Sequence, residues 1–586
     1  IAGNEIEFNY SLSGGEQSLV SVDYTKNGAT DLNHSVEFDY GSSVRPDPIA
    51  GYMGNTAVNT LHRLEAVRVK AAGSLVRKYV VDYENNANDP LNQSRVESIG
   101  LCFDEAENDC TEEAQFTWPT YPANPTMTEQ SATDLNELWF NGGEPPVADV
   151  NGDGLPDMVA AGNTVGVKIN NGDGTYQNIQ TWVTQPELDA IAIIRRHKVM
   201  DINSDGLADL VTEFRGSNDI FEGLYVFYSN GQDFGTAQQW LSPTGQTSAF
   251  AALGYSDFNG DGLMDLYELF TPNKLNVALN HQTSTQSWLN SGLLWGGGNQ
   301  TRMIDINNDG LPDIVKDEGF PFTITTRVGY NTGDGSTFTD LTNIIPSLSI
   351  LRTLGSFFDL NGDGLKDFLW RDNGGIYVSI NQGMSFSTPE RWTTEFPFSV
   401  TSGGIPASYV DINGDGKVDI VSSEYGQNFY VALSTGMAPS GSGSQSGFLP
   451  KQLWSNKGSL TGDLNGDGLL DLFNISHSSS IIKHNTTPQH RLTQITEGNG
   501  RTITIDSRSL ANSQGSYTAG SGNDSIGLAF ASKTTNVDDE RVERPVVDAR
   551  YIVAEYDISN GLGTDTNTHR YHYSGLVVHR YGWGSL

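Results

Sequence analysis

Seven nonapeptides place acidic side chains at one fixed spacing: "DVNGDGLPD" from 149, "DINSDGLAD" from 201, "DFNGDGLMD" from 257, "DINNDGLPD" from 305, "DLNGDGLKD" from 359, "DINGDGKVD" from 411 and "DLNGDGLLD" from 463. Asp stands at positions 1, 5 and 9, Asn at 3 and Gly at 6 in every copy. Three carboxylates this close repel one another unless a cation stands among them. A hard cation takes roughly six to eight oxygens, which a curled loop supplies from alternate side chains and the carbonyl of position 7. Calcium suits that arrangement better than magnesium, which keeps its waters and rarely takes an all-protein cage.

The predicted ligands are therefore Asp149, Asn151, Asp153, Leu155 and Asp157 in the first loop, and Asp201, Asn203, Asp205, Leu207 and Asp209 in the second. Asp257, Asn259, Asp261, Leu263 and Asp265 form the third set, and Asp305, Asn307, Asp309, Leu311 and Asp313 the fourth. Asp359, Asn361, Asp363, Leu365 and Asp367 follow, then Asp411, Asn413, Asp415, Lys417 and Asp419, then Asp463, Asn465, Asp467, Leu469 and Asp471. Position 7 is expected to contribute only its carbonyl, and Gly at position 6 to permit the sharp turn. Up to seven calcium ions are expected, in a structural role. An EF-hand would need Glu at position 12 and flanking helices. Position 12 is Ala160, Thr212, Glu268, Lys316, Trp370, Ser422 and Asn474, and strand-like runs follow.

The loops begin 48 to 56 residues apart, which marks one structural unit repeated seven times. After each comes a β-prone run such as "MVAA", "LVTEF" or "FLWR", then a second run meeting an Asn or Gly turn, as in "GLYVFYSNGQDF". Three or four short strands per unit match a propeller blade, and seven fit the usual ring. The predicted fold is all-β: a seven-bladed calcium-binding β-propeller inserted in a β-sheet shell domain. Composition agrees, with 65 Gly and 10% aromatic against 18% charged residues. A net charge of -37 argues against nucleic-acid and anionic-membrane partners. No apolar run is long enough to span a membrane. The start, Ile1-Ala-Gly-Asn, lacks the features of a signal peptide and reads as a trimmed or interior start.

These loops resemble the FG-GAP/VCBS family of propeller repeats over roughly 130 to 485, in which the ninth-position Asp completes the cage. Upstream, "RLEAVRVKAAGSLVRKYVVDYEN" and "SRVESIGLC" resemble the region before the propeller in SpvB-like and TcB-type toxin-complex B proteins, relatives of the Rhs/YD-repeat family. Downstream, "HRLTQITEGNGRTITIDSRSL" and "VVDARYIVAEYDISNGLGTDTNTHRYHYSGLVVHRYGWGSL" are similar to the middle segment of those proteins. Tyr571, Tyr573 and Gly575, then Gly582 and Gly584, carry that pattern, while Trp583 and Ser585 depart from it. The expected domains are an N-terminal β shell segment at 1–118, the propeller at 119–489 and a middle-region β segment at 490–586 leading into YD repeats. The resemblance implies a noncatalytic shell and docking or gating module of a toxin protein, secreted or at the cell surface. Its implied partners are a toxin translocation component on the propeller face and a downstream YD-repeat shell.

No enzymatic constellation stands out. HExxH and G-x-S-x-G are absent, and the local His groups, His484 with His490 and His569, His572 with His579, read as sheet packing or surface. Two alternatives stay open. A surface adhesin or glycan-binding propeller would be favoured by exposed Trp182, Trp240 and Trp392 on one face, and a calcium-dependent polysaccharide lyase would need a base assembled from distant blades. Cys102 and Cys110, the two cysteines, either close a small loop in an exported protein or remain free thiols. The Gly/Ser-rich stretches 436–447 and 511–527 read as solvated loops.

Overall fold

The structure, a computed structural model, describes residues 5–27, 30–53, 56–84, 93–111, 113–119, 127–131, 146–161, 164–183, 194–215, 221–241, 253–270, 274–282, 289–294, 301–318, 323–335, 337–339, 342–343, 348–349, 355–372, 374–383, 385–396, 407–424, 428–436, 447–456, 459–474, 480–486, 491–509, 517–518, 543–545, 551–559, 566–571, 573–574 and 577–579. Residues 437–446, most of 511–527, and Gly575, Gly582, Trp583, Gly584, Ser585, His490 and His572 lie outside them. All regular elements among the described residues are strands, as the β-branched and aromatic runs between glycine turns dictate.

Seven antiparallel sheets follow in sequence, and in each the acidic nonapeptide joins the first strand to the second. The second strand always begins on the ninth aspartate, as in Asp157–Ala161, Asp209–Arg215 and Asp367–Asp372. The chain thus forms a seven-bladed β-propeller. Its last blade is composite. Strands Ser459–Gly462, Asp471–Asn474 and Ile481–Asn485 take their fourth partner, Met127–Ser131, from before the first blade. An N-terminal strand therefore closes the ring, a join made from residues about as far apart in the propeller as the chain allows.

Between blades the core is aromatic and aliphatic. Val159, Val167 and Trp182 of the first blade pack with Leu210, Phe214 and Phe227 of the second, and Leu360, Val378 and Trp392 of the fifth with Ile420, Ala432 and Phe448 of the sixth. Trp182 and Trp240 are each 6% exposed and Trp392 is 1% exposed. These tryptophans line no open face, so they do not supply the feature that would have favoured a glycan-binding propeller. Apolar burial demands this placement, because one ring removed from water contributes on the order of 2 kcal/mol or more.

Both flanks share one sheet. Its eleven strands run Glu5–Ser13, Glu16–Asn27, Thr30–Tyr40, Leu64–Ala71, Ser74–Tyr83, Val96–Cys102, Ala114–Thr117, Gln494–Thr496, Thr502–Ser509, Tyr551–Ser559 and Thr566–Arg570 in spatial order. The propeller is inserted between the seventh and eighth, where Gln494, Ile495 and Thr496 pair with Thr117, Phe116 and Gln115. Phe8, Val22, Val36 and Val69 stand opposite one another across four strands, and Glu7, Asp23, Ser35 and Lys70 form the adjoining row. Pleating sends these two rows to opposite faces. Cys102 and Cys110 form a disulfide at the end of the sixth strand, beside the hydrogen bond from the Phe103 amide to the Asp109 carbonyl. His569 lies on the last strand and stacks on Tyr556, in keeping with a sheet-packing role.

Candidate cation loops and the ring that joins them

Each nonapeptide is wound about its own first aspartate. The carboxylate of Asp149 accepts the amides of Gly152 and Gly154, and the bond from Gly at position 6 to Asp at position 1 recurs in all seven loops at 2.6–2.9 Å. Asp at position 5 accepts the amide of position 7 at 2.8–3.0 Å. Asn at position 3 accepts the amide of position 5 through its carbonyl oxygen at 2.9–3.2 Å. Successive short-range bonds of this kind are why Asp and Asn favour turns.

Two left-handed residues make the winding possible. Position 6 is always Gly, with φ between 81° and 93°. Position 4 is also left-handed, and there five loops use Gly while Ser204 and Asn308 adopt φ 57°. The sequence offered a signal for this second position, Gly in five of seven copies, which the ligand pattern overshadowed. Position 7 does more than lend a carbonyl. The side chains of Leu155, Leu207, Leu263, Leu365 and Leu469 are buried, so each also removes apolar surface from water.

The ninth aspartates stand apart from the rest of their loops. Asp157, Asp209, Asp265, Asp313, Asp367, Asp419 and Asp471 are all 0% exposed. One oxygen accepts the amide of position 2 in the same loop at 2.8–3.3 Å. The other accepts the amide of an Asn or Ser at the end of the blade's third strand: Asn170, Ser229, Asn280, Asn331, Asn381, Ser434 and Asn485, at 2.7–2.9 Å. The side chain of that residue then donates to the position-2 carbonyl of the preceding blade's loop at 2.6–3.3 Å. Its acceptors are Leu464, Val150, Ile202, Phe258, Ile306, Leu360 and Ile412 in turn, so the chain of bonds passes through all seven blades and returns to its start. Sequence reasoning missed these seven residues, although an Asn or Ser before each third-strand turn was visible.

Burial is the main force on the acidic groups, and neighbouring carboxylates add to it. Asp149 is pushed up to about 7 and Asp157 to about 8, despite the amides each accepts. Asp209 rises to about 8, Asp265 and Asp313 to about 7, and Asp415 and Asp467 to about 6. Asp367 and Asp419 go well above the ordinary carboxylate range. Ionising such groups costs free energy that a bound cation offsets.

The donor set fits a hard cation: per loop, three carboxylates, an amide oxygen and a backbone carbonyl, all oxygen. Among the described residues no group of three or more His, Cys, Asp or Glu is spaced to hold a metal ion as it stands. The sixth loop differs. In the other six the Asn side chain at position 3 donates to the Asp at position 5, at 2.8–3.1 Å. In the sixth, Asn413 Nδ2 and Asp415 Oδ2 are buried and fall short of hydrogen-bond geometry, although Lys417 and the Asn413 side chain both draw the Asp415 carboxyl back toward ionisation. In the seventh, His484 Nδ1 approaches Asp471 Oδ2 at 3.2 Å and is held protonated more readily than a free imidazole.

A model of FG-GAP-like repeats matches residues 149–212, 257–315, 359–422 and 411–474, each match starting on the first aspartate of a loop. A T-cell immunomodulatory protein homolog of Plasmodium falciparum (isolate 3D7) is 29% identical over 157 residues, 24% of this chain and 21% of that protein. Its namesake in Plasmodium yoelii yoelii is 25% identical over 274 residues, 42% of this chain and 36% of that protein. The chain thus spans about a fifth to a third of the curated relatives it matches. Among solved structures, the crystal structure of TcdB2-TccC3 superposes on 97% of this chain, with a TM-score of 0.52 and 14% identity, using 27% of its own length. That likeness covers the flanking sheet as well as the propeller. This chain carries FG-GAP-like repeats on a seven-bladed β-propeller set into a larger β-sheet.

Proposed function

We propose that this chain is a noncatalytic shell and docking module of a toxin-complex B or SpvB-like protein, with calcium held in the propeller loops as part of the fold. One observation carries the reading: both flanks build a single eleven-stranded sheet around the inserted propeller, and about a quarter of TcdB2-TccC3 superposes on nearly the whole of this chain. In such a module the sheet is part of a wall and the propeller presents a face to a protein partner. The disulfide between Cys102 and Cys110 suits a secreted or surface location.

Calcium would be held by Asp at positions 1, 5 and 9, Asn at position 3 and the carbonyl of position 7. It would neutralise buried carboxylates that otherwise resist ionisation. With a dissociation constant near 0.1 mM and about 1 mM calcium, each site would add about 1.4 kcal/mol, or about 10 kcal/mol over seven independent sites. That is comparable to the net stability of a whole domain.

The coding sequence that follows the codon for Leu586 tests the shell reading. YD repeats ending in a variable toxin region are expected there, and a catalytic or anchoring domain without YD repeats would overturn it. Calorimetric titration of the chelator-stripped chain with calcium tests the ion, and no heat with no change in melting would remove it.

A further inference from the structure

We infer that Asn170, Ser229, Asn280, Asn331, Asn381, Ser434 and Asn485 are positioning residues for the cation loop of the preceding blade as well as their own, so that the seven loops bias one another around the ring. The inference rests on the calcium reading for its consequence but on hydrogen bonds for its geometry. In the third and fourth blades, Phe258 lies between two predicted ligands, Asp257 and Asn259. Its amide is held by Asp265 of the same loop at 2.8 Å. Its carbonyl is held by the side chain of Asn331 in the next blade at 2.9 Å, and the residue itself is 0% exposed. Water cannot replace a partner there.

Both peptide planes beside those ligands are therefore fixed, one from within the blade and one from its neighbour. Asn331 joins the two halves: its own amide donates to Asp313, the ninth aspartate of the fourth loop, at 2.9 Å. Its side-chain oxygen accepts the amide of Gly333 at 2.9 Å. A shift of the fourth loop's aspartate is thus passed to the third loop through one residue. Ser serves the same purpose in the second and sixth blades, where its hydroxyl reaches Val150 and Leu360. The common requirement is a short side chain that donates to a carbonyl.

Hydrogen exchange of the whole chain, with calcium and with chelator, tests this on Asn331→Ala and Asn331→Ser. Asn331→Ala should speed exchange in 258–263 of the third loop roughly tenfold, the loss of one buried hydrogen bond, and leave 464–469 of the seventh loop unchanged. Asn331→Ser should restore most of the protection. Faster exchange confined to the fourth blade, or equal acceleration in every loop, would overturn the inference. If Asn331→Ala fails to fold, Asn331→Ser decides: a folded variant with a protected third loop supports it, and the same failure overturns it. Wild-type exchange that ignores calcium would remove the calcium reading while leaving the test of the ring intact.

Discussion

The side-chain amide of Asn170 donates to the carbonyl of Leu464 at 2.7 Å, across 294 residues of chain. This bond joins the first blade to the last, and Met127–Ser131 completes the same closure by pairing with Ile481–Asn485. Removing 127–131 should open the seventh blade at its outer edge. We expect a lower melting temperature and concentration-dependent association, since an unpaired edge templates other strands. Scanning calorimetry and size-exclusion chromatography check this, and a monomer melting like the intact chain would show the closing strand to be dispensable.

Within the fifth loop the two aspartates should differ. Asp367 ties the loop to the third strand by holding the amides of Leu360 and Asn381, whereas Asp363 holds the Leu365 amide and the Asn361 side chain, both within the loop. In chelator, Asp367→Ala should cost about 2–4 kcal/mol and Asp363→Ala about 1 kcal/mol. Denaturant unfolding measures both. Exchange should also place the Asp363→Ala effect mainly in the fifth blade, whereas equal loosening of all seven would contradict a local loop.

Calcium should matter more as pH rises. The folded chain binds protons at Asp149, Asp157, Asp209, Asp265 and Asp313 more tightly than the unfolded chain, because their carboxyls are raised to about 7 or 8. The native state thus holds more protons, and without calcium stability falls as pH climbs from about 4 to about 8. Calcium competes with those protons, so its increment to the melting temperature should be larger at pH 8 than at pH 5. Melting curves at both values, in calcium and in chelator, test the sign; an increment larger at pH 5 would refute it.

At position 4 of the fourth loop, Asn308 takes the left-handed φ of 57° where five other loops carry Gly. Asn308→Gly should stabilise the chain by roughly 0.5–1 kcal/mol by relieving that backbone cost. Gly362 has φ 78°, and an added Cβ there would meet nothing within 4 Å. Gly362→Ala should therefore destabilise by a similar amount through the backbone alone. Paired denaturation curves settle both, and opposite signs would show that the loop relaxes out of the left-handed region.

The flanks should fold together. Residues 1–118 alone expose the edge of Ala114–Thr117 that otherwise pairs with Gln494–Thr496, and are expected to be insoluble or unfolded. Joined to 490–586 through a short linker in place of the propeller, they should recover cooperative melting by circular dichroism. A stable monomeric 1–118 fragment would make the N-terminal segment a domain of its own.

The loops, the repeat and the strand that follows each were legible from the order of residues, because these depend on positions within about twenty of one another. The winding of a nonapeptide on Asp149 through Gly152 and Gly154 uses bonds within the loop, and seven regular copies admit few architectures. What those loops are attached to was settled only by the folded ring. Residue order cannot say that Asn170 meets Leu464, or that Met127–Ser131 belongs to the last blade, since each partner is chosen by the curvature of the whole propeller. The same reason separates two readings of Trp182, Trp240 and Trp392: a tryptophan on a short strand suits a binding face or a core, and the packing of neighbouring blades buried them. Phe116 and Ile495 were legible as strand residues, but their pairing required the propeller to bring its two ends together.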